Sequence, residues 1–381
     1  MDKKKRVVVP HLPDDLIVLI LLRLPVKSLL RFKCVSKSFF SLISDNQFAI
    51  SHFDLAASPA HRLLCSAYIE IAHFDYPSLL RSIDLSSSSP SSVALIPPFL
   101  PPSCNPQIRG SCRGFILLCH EYDNLFIWNP LTGAHKKLPL SPTASSRPKK
   151  HCPVYYGFGY DASTNDYLVF LGSLDFNVEV FWKTDYELFS LRANAWKTIE
   201  VEGNHLPSCL SLGIRNGILL NGVLHWLTYR RDIKTTAILA FDLMEKSFSV
   251  LPLPPPVVDV YNFFRLLSDL CVLDGYLCTY LPRNNATEIW VMNEYRVSSS
   301  WKKCAELCMT SEAIDADDGP PHPYISPIYS TKCGDIVGLN GGPRVVKFNA
   351  KGQLLEHHSF RVYKREAIMY TESLLSFSFP S

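Results

Sequence analysis

Hydrophobic and polar positions follow two different rhythms along this chain, and the change between them falls near residue 60. In residues 12–44, LPDDLIVLILLRLPVKSLLRFKCVSKSFFSLIS, the apolar positions recur at helical spacing. Pro13 suits the first turn of a helix, and Asp14 and Asp15 complement the positive end of its dipole. Leu16, Ile17, Ile20, Leu21 and Leu24 line one face. Val18, Leu19 and Leu22 make the opposite face apolar as well, so this helix calls for contacts on both sides. Pro25 breaks it and opens a second helix carrying Leu29, Leu30, Phe32 and Val35. A third begins at Ser36, a capping residue, and carries Phe39, Phe40, Leu42 and Ile43. Below about 40 residues a lone domain is hard to stabilise. The pattern therefore predicts that this unit is covered by the rest of the chain or by another protein.

Beyond residue 60 the helical period gives way to short β-type runs separated by Gly, Pro, Asn, Asp and Ser. The runs repeat. Leu125–Pro130, Tyr186–Leu191, Ile238–Leu243, Glu288–Met292 and Val345–Asn349 are each followed by a polar turn and a second strand, and a fainter first copy lies at Ser82–Leu85. Aligning Ile83, Trp128, Phe189, Phe241, Trp290 and Phe348 gives spacings of 45, 61, 52, 49 and 58 residues. These cluster about the roughly 50-residue period of kelch-type propeller blades. A Gly-initiated apolar strand precedes several copies, at Gly114, Gly222, Gly275 and Gly334. Two strands from each element make a four-stranded blade. The expected fold is mainly β with a small α N-terminal module: three helices, then a kelch-like β-propeller of about six blades whose closed ring leaves few open edges. The recurring aromatic positions read as core packing.

The composition, 47% hydrophobic and 19% charged over 381 residues, is that of a globular chain with room for one small and one large domain. A net charge of +3 gives no footprint for nucleic acid. The one dense basic run, Lys3-Lys4-Lys5-Arg6, reads as a solvated tail, with nuclear import as the alternative. No secretory signal follows it, and the longest early apolar run, Leu16–Leu22, is too short to span a membrane. The twelve cysteines form no C-x-x-C pair and are expected to be small buried hydrophobes in a reducing compartment, the cytoplasm or nucleus.

Catalytic and cofactor chemistry finds little support. Gly157-Phe158-Gly159 lacks a third Gly and a following helix, so a strand turn is expected there rather than a phosphate cradle. His225, between Leu224 and Trp226, reads as a core histidine. His357 and His358 point to opposite faces of a strand and cannot share a metal. Cys304 and Cys308 have no nearby partners to complete a zinc site. No cofactor or metal is expected.

Two resemblances join these readings. Leu12-Pro13, Asp14-Asp15-Leu16, Ile20-Leu21, Leu24-Pro25, Ser28-Leu29, Arg31-Phe32 and Cys34-Val35-Ser36-Lys37 resemble an F-box, the adaptor-docking module of SCF (Skp–Cullin–F-box) ubiquitin ligases. Leu19 departs from the acid usual in plant members and Phe39 from their Trp; both are compatible with helix. The remainder resembles the F-box-associated domain of a large plant family. That match rests on Gly110-Ser111-Cys112-Arg113-Gly114, Trp128-Asn129-Pro130-Leu131-Thr132-Gly133, Gly157-Phe158-Gly159-Tyr160-Asp161, and Asn221-Gly222-Val223-Leu224-His225-Trp226 followed by Phe241-Asp242-Leu243. The expected organisation is a basic tail over 1–10, an F-box over 11–53 and a propeller over 60–377.

The resemblance implies a non-catalytic substrate receptor of an SCF ligase. It would dock on a Skp-family adaptor, and through it a cullin, while the propeller binds the protein to be ubiquitinated. Leu12, Pro13, Leu16, Ile17, Ile20, Leu21, Leu24, Pro25 and Leu29 are the expected adaptor-binding residues, some of which must instead hold the helices together. Ser141–Pro153, Pro252–Asn262 and Thr310–Pro327 are irregular enough to contact a substrate, and equally to be plain connections. A non-ligase propeller scaffold and a glycan-binding protein or propeller enzyme using a central channel are the alternatives.

Overall fold

The computed structural model describes residues 12–55, 61–68, 70–71, 74–75, 79–85, 91–101, 104, 106–121, 124–146, 151–175, 184–200, 209–210, 214–230, 233–254, 269–283, 286–309, 324–340, 344–359 and 363–377. The basic run at residues 3–6 lies outside them, as do residues 147–150, 255–262 and 310–323 of the three irregular segments.

Helices α1 (Asp14–Leu21), α2 (Val26–Phe32) and α3 (Lys37–Ser44) form near where the apolar spacing places them, but α1 stops before Leu24 and α2 before Val35, which is exposed. Pro13 and Pro25 hold the cap positions of the first two, and Ser36 Oγ accepts the Phe39 N–H at 3.2 Å to start the third. The three-helix expectation is one helix short. A fourth, α4 (Asn46–Leu55), starts where Asp45 Oδ1 accepts the Phe48 N–H at 2.9 Å, and it buries Phe48, Ala49 and His52. A capping Asp followed by apolar residues at helical spacing was its signal.

Six four-stranded antiparallel blades follow in sequence order, with short extra strands in two of them. Ile83, Trp128, Phe189, Phe241, Trp290 and Phe348 all fall on the third strand of their blades, so the aligned positions share one structural role. Five are buried and Trp290 is half-buried against the core. Each of the six hydrophobic clusters fills the seam between two neighbouring blades. Closure comes from the far end of the chain: Tyr363–Thr371 pairs along His61–Tyr68 as the inner strand of the first blade. The ring is thereby closed within the first blade, whose inner strand comes from one end of the propeller and whose other strands come from its start.

Three of the four Gly-initiated strands share a turn. Arg113-Gly114, Asn221-Gly222 and Asp274-Gly275 all have positive φ at both positions, the type I′ geometry that matches strand twist. Gly157-Phe158-Gly159 is not a turn, against expectation: it lies inside the strand His151–Asp161. A Cβ on Gly157 would meet Trp226 at 3.0 Å and overlap Leu224, so the glycine admits the side chains of the next blade. Ser141–Pro153 is less irregular than its composition suggests, since Pro142–Ser146 is a short helix, α5.

The cysteine expectation holds for Cys65, Cys112, Cys119, Cys271 and Cys278, which are buried and free. It fails for Cys34, Cys304, Cys308 and Cys333, which are exposed. Cys304 and Cys308 lie on Trp301–Cys308, the outermost strand of its blade, whose alternate positions face solvent.

Candidate functional site

The helical module sits on the seam between the second and third blades, and its apolar residues divide into two sets. Leu21, Leu22, Val26, Leu29, Ile43, Phe48 and Ala49 share one buried cluster with Phe115, Leu117, Tyr156 and Phe158 of the propeller. Ile17 and Leu24 are half-buried against that cluster. Leu12, Leu16, Leu19 and Ile20 form the second set. They are 53, 46, 46 and 51% exposed; Leu16, Leu19 and Ile20 fall within one arc of α1, cutting across the two faces read from sequence, and Leu12 lies just before the helix. Pro13 and Pro25 are exposed at the helix starts. Of the nine residues expected to meet an adaptor, Leu21 and Leu29 are thus spent on the chain's own core. Leu12, Pro13, Leu16, Ile20 and Pro25 are left at the surface.

Several polar side chains fix the module in place. His52 Nε2 lies 2.8 Å from the Leu24 carbonyl oxygen, tying α4 to the connection between α1 and α2. Arg113, in the first turn of the second blade, lies between the Phe53 and Tyr160 rings at 4.6 and 4.3 Å and reaches Asp54 at 3.6 Å. Buried Glu372 pairs with Arg62 of the first propeller strand, and exposed Lys27 of α2 approaches it at 3.9 Å. After the closing strand the chain runs between propeller and helices, where Leu374 and Leu375 join the shared cluster. Asn129 holds that passage. Its Nδ2 donates to the carbonyls of Ser373 (3.1 Å) and Leu375 (2.9 Å), while its Oδ1 accepts from Leu131 N–H at 3.0 Å. Arg113 and Asn129 belong to recognised motifs, yet their roles were illegible in sequence because Arg113 meets Phe53 and Tyr160 of other elements and the acceptors of Asn129 Nδ2 lie more than 240 residues away.

At the inner strands, polar groups pair across blades. Arg109 Nη1 donates to Glu366 Oε1 at 2.9 Å, and Arg215 Nη1 to Asp269 Oδ2 at 3.1 Å. Asn216 donates to the Ile108 carbonyl at 3.0 Å. His225 is fully buried, with Nδ1 3.2 Å from the Ile218 carbonyl and Nε2 2.7 Å from the Tyr295 hydroxyl. Burial pushes it down to about 4, against the Ile218 hydrogen bond and with help from the Arg296 charge, so it is the neutral, satisfied core histidine its surroundings suggest. Among the described residues no group of three His, Cys, Asp or Glu is placed to hold a metal, and no helix is long and apolar enough to cross a membrane.

A small helical unit with an unspent apolar stripe, anchored on a six-bladed ring, defines an adaptor-type protein of two modules. Comparison with known proteins gives the family. Residues 9–51 match the F-box domain and residues 71–321 the F-box associated beta propeller domain. An Arabidopsis thaliana F-box/kelch-repeat protein, At3g23880, is 34% identical over 306 residues, covering 78% of this chain and 80% of that one. The F-box protein CPR1 of the same plant is 31% identical, covering 77% and 72%. A third Arabidopsis F-box protein, At4g22390, is 31% identical and covers 90% and 84%. The chain belongs to the family of F-box proteins that carry an F-box-associated β-propeller. Proteins of this kind serve in general as substrate adaptors of SCF ubiquitin ligases, and F-box domains in general bind Skp-type adaptors.

Proposed function

We propose that this chain is a substrate receptor of an SCF ubiquitin ligase, working in the cytoplasm or nucleus. The exposed stripe of Leu12, Leu16, Leu19 and Ile20 docks on a Skp-family adaptor, and the propeller holds the protein to be modified. The observation that carries the reading is the division of one short helix. Leu21 and Leu22 are buried in the seam with the propeller while Leu16, Leu19 and Ile20 stay in water. Three large apolar side chains on one arc of α1, with Leu12 just before it, are costly to leave exposed unless a partner covers them. The receptor supplies no reacting group in this scheme. A helical module fixed by Arg113, Asn129 and Glu372 presents the bound protein at a set orientation, and tethering makes ubiquitin transfer nearly intramolecular.

The channel-based alternatives would draw on free polar groups at the inner strands, where Arg109 pairs with Glu366 and Arg215 with Asp269, leaving Arg109 Nε and Asn216 Oδ1 without a hydrogen-bond partner among the described residues. Reconstitution tests the ligase reading. With a Skp-family adaptor, cullin, RING subunit, charged conjugating enzyme and ubiquitin, adaptor-dependent transfer of ubiquitin to the chain itself is expected. A complex that binds the adaptor yet never engages the cullin would leave a non-ligase scaffold.

A further inference from the structure

A cavity of about 560 Å³ opens at the junction of α4, the third blade and the C-terminal segment. Its size is that of small-molecule sites, which form preferentially where two domains meet and span about 300–1,000 Å³. Its ionisable lining is unbalanced: Arg113 and Arg192 against Asp54. Arg113 is already partly committed, to Asp54 at 3.6 Å and to the two flanking rings, although its buried Nε has no hydrogen-bond partner. Arg192 is the freer cation. It stands on the turn between the last two strands of the third blade, donates through Nη1 to the Thr164 carbonyl at 2.8 Å, and forms no ion pair among the described residues. The rest of the wall is flat and apolar or amide in character. Tyr160, Tyr167 and Phe377 supply rings, and Gln47 of α4 supplies a side-chain amide.

We propose that this cavity binds a small organic monoanion, a carboxylate carried on a flat apolar body. The excess of one positive charge sets the ligand's charge. Arg192 lines the cavity with the N–H donors that its Nη1 contact to Thr164 leaves over, groups that suit a carboxylate, and the rings of Tyr160, Tyr167 and Phe377 suit an apolar body. Because the walls come from both modules, an occupant binds only the docked arrangement and stabilises it by mass action. The cavity lies against α4, apart from the exposed stripe on α1, so the inference stands whether or not the chain joins a ligase.

The test uses the full chain with benzoate as the probe and benzamide, its uncharged isostere, as the control. Calorimetric titration is expected to show weak saturable benzoate binding, near about 1 mM, and at least tenfold weaker binding of benzamide. Amide exchange in α4 is expected to slow when benzoate is bound. Arg192→Ala, on an exposed turn, should lower benzoate affinity by about fivefold or more without changing the melting temperature of the free chain, and Arg192→Lys should restore part of it. Phe377→Ala should weaken both probes alike. Equal affinity for benzoate and benzamide, no saturable benzoate binding, or unchanged affinity in a folded Arg192→Ala chain would each overturn the proposal.

Discussion

At the scale of single residues, chemically similar side chains have opposite duties here, and exposure separates them. Leu16 and Leu29 are both leucines of the helical module, yet one is 46% exposed and the other 0%. Leu29→Ala is expected to cost about 2–5 kcal/mol of stability through the cavity it leaves. Leu16→Ala should leave stability within about 0.5 kcal/mol, both read by denaturant unfolding. His225 makes a second residue-scale prediction. Its value falls from the ordinary 6.5 to about 4 in the folded chain, chiefly through burial. Between those two values the unfolded chain takes up a proton that the folded chain refuses. The stability His225 contributes is therefore complete above about pH 6.5 and is lost as pH falls towards 4. Replacing it with Gln should flatten the acid limb of a stability–pH curve; an unchanged limb would assign that slope to other groups.

At the scale of elements, legibility followed periodicity. The third strands could be aligned from sequence because each places a large apolar residue at the same point, from Ile83 to Phe348. Gly114, Gly222 and Gly275 were legible as turn positions because glycine admits positive φ, whereas the positive φ of the residue before each, which makes the turns type I′, was not. α4 was passed over because its polar start hides a short buried face, and Gly157 was misread because its reason lies in the next blade. The helical pattern announced an apolar excess on both sides of α1, but which side faces the propeller depends on Phe115 and Leu117, a hundred residues further on. A pair of substitutions separates turn strain from contact. Gly222→Ala has open space around the new Cβ and should cost about 1–2 kcal/mol for its positive φ alone. Gly114→Ala has the same strain and also overlaps Ser373 in the C-terminal segment, so its melting temperature should fall further. Equal losses would mean that the segment yields freely.

At the scale of the whole molecule, the two ends of the propeller meet in one blade, and the chain then returns beneath the helical module. The ring and its helical module are consequently one packed body, with Leu374 and Leu375 between them. This arrangement leaves the arc of α1 exposed, and it makes the receptor reading directly measurable. Titration of the full chain with a Skp-family adaptor, beside a variant carrying Leu16→Asp and Ile20→Asp, tests it. The account predicts a stable complex with the native chain and at least about thirtyfold weaker binding by a variant that melts at the same temperature. Undiminished binding by the folded variant, or no binding by the native chain, would contradict it.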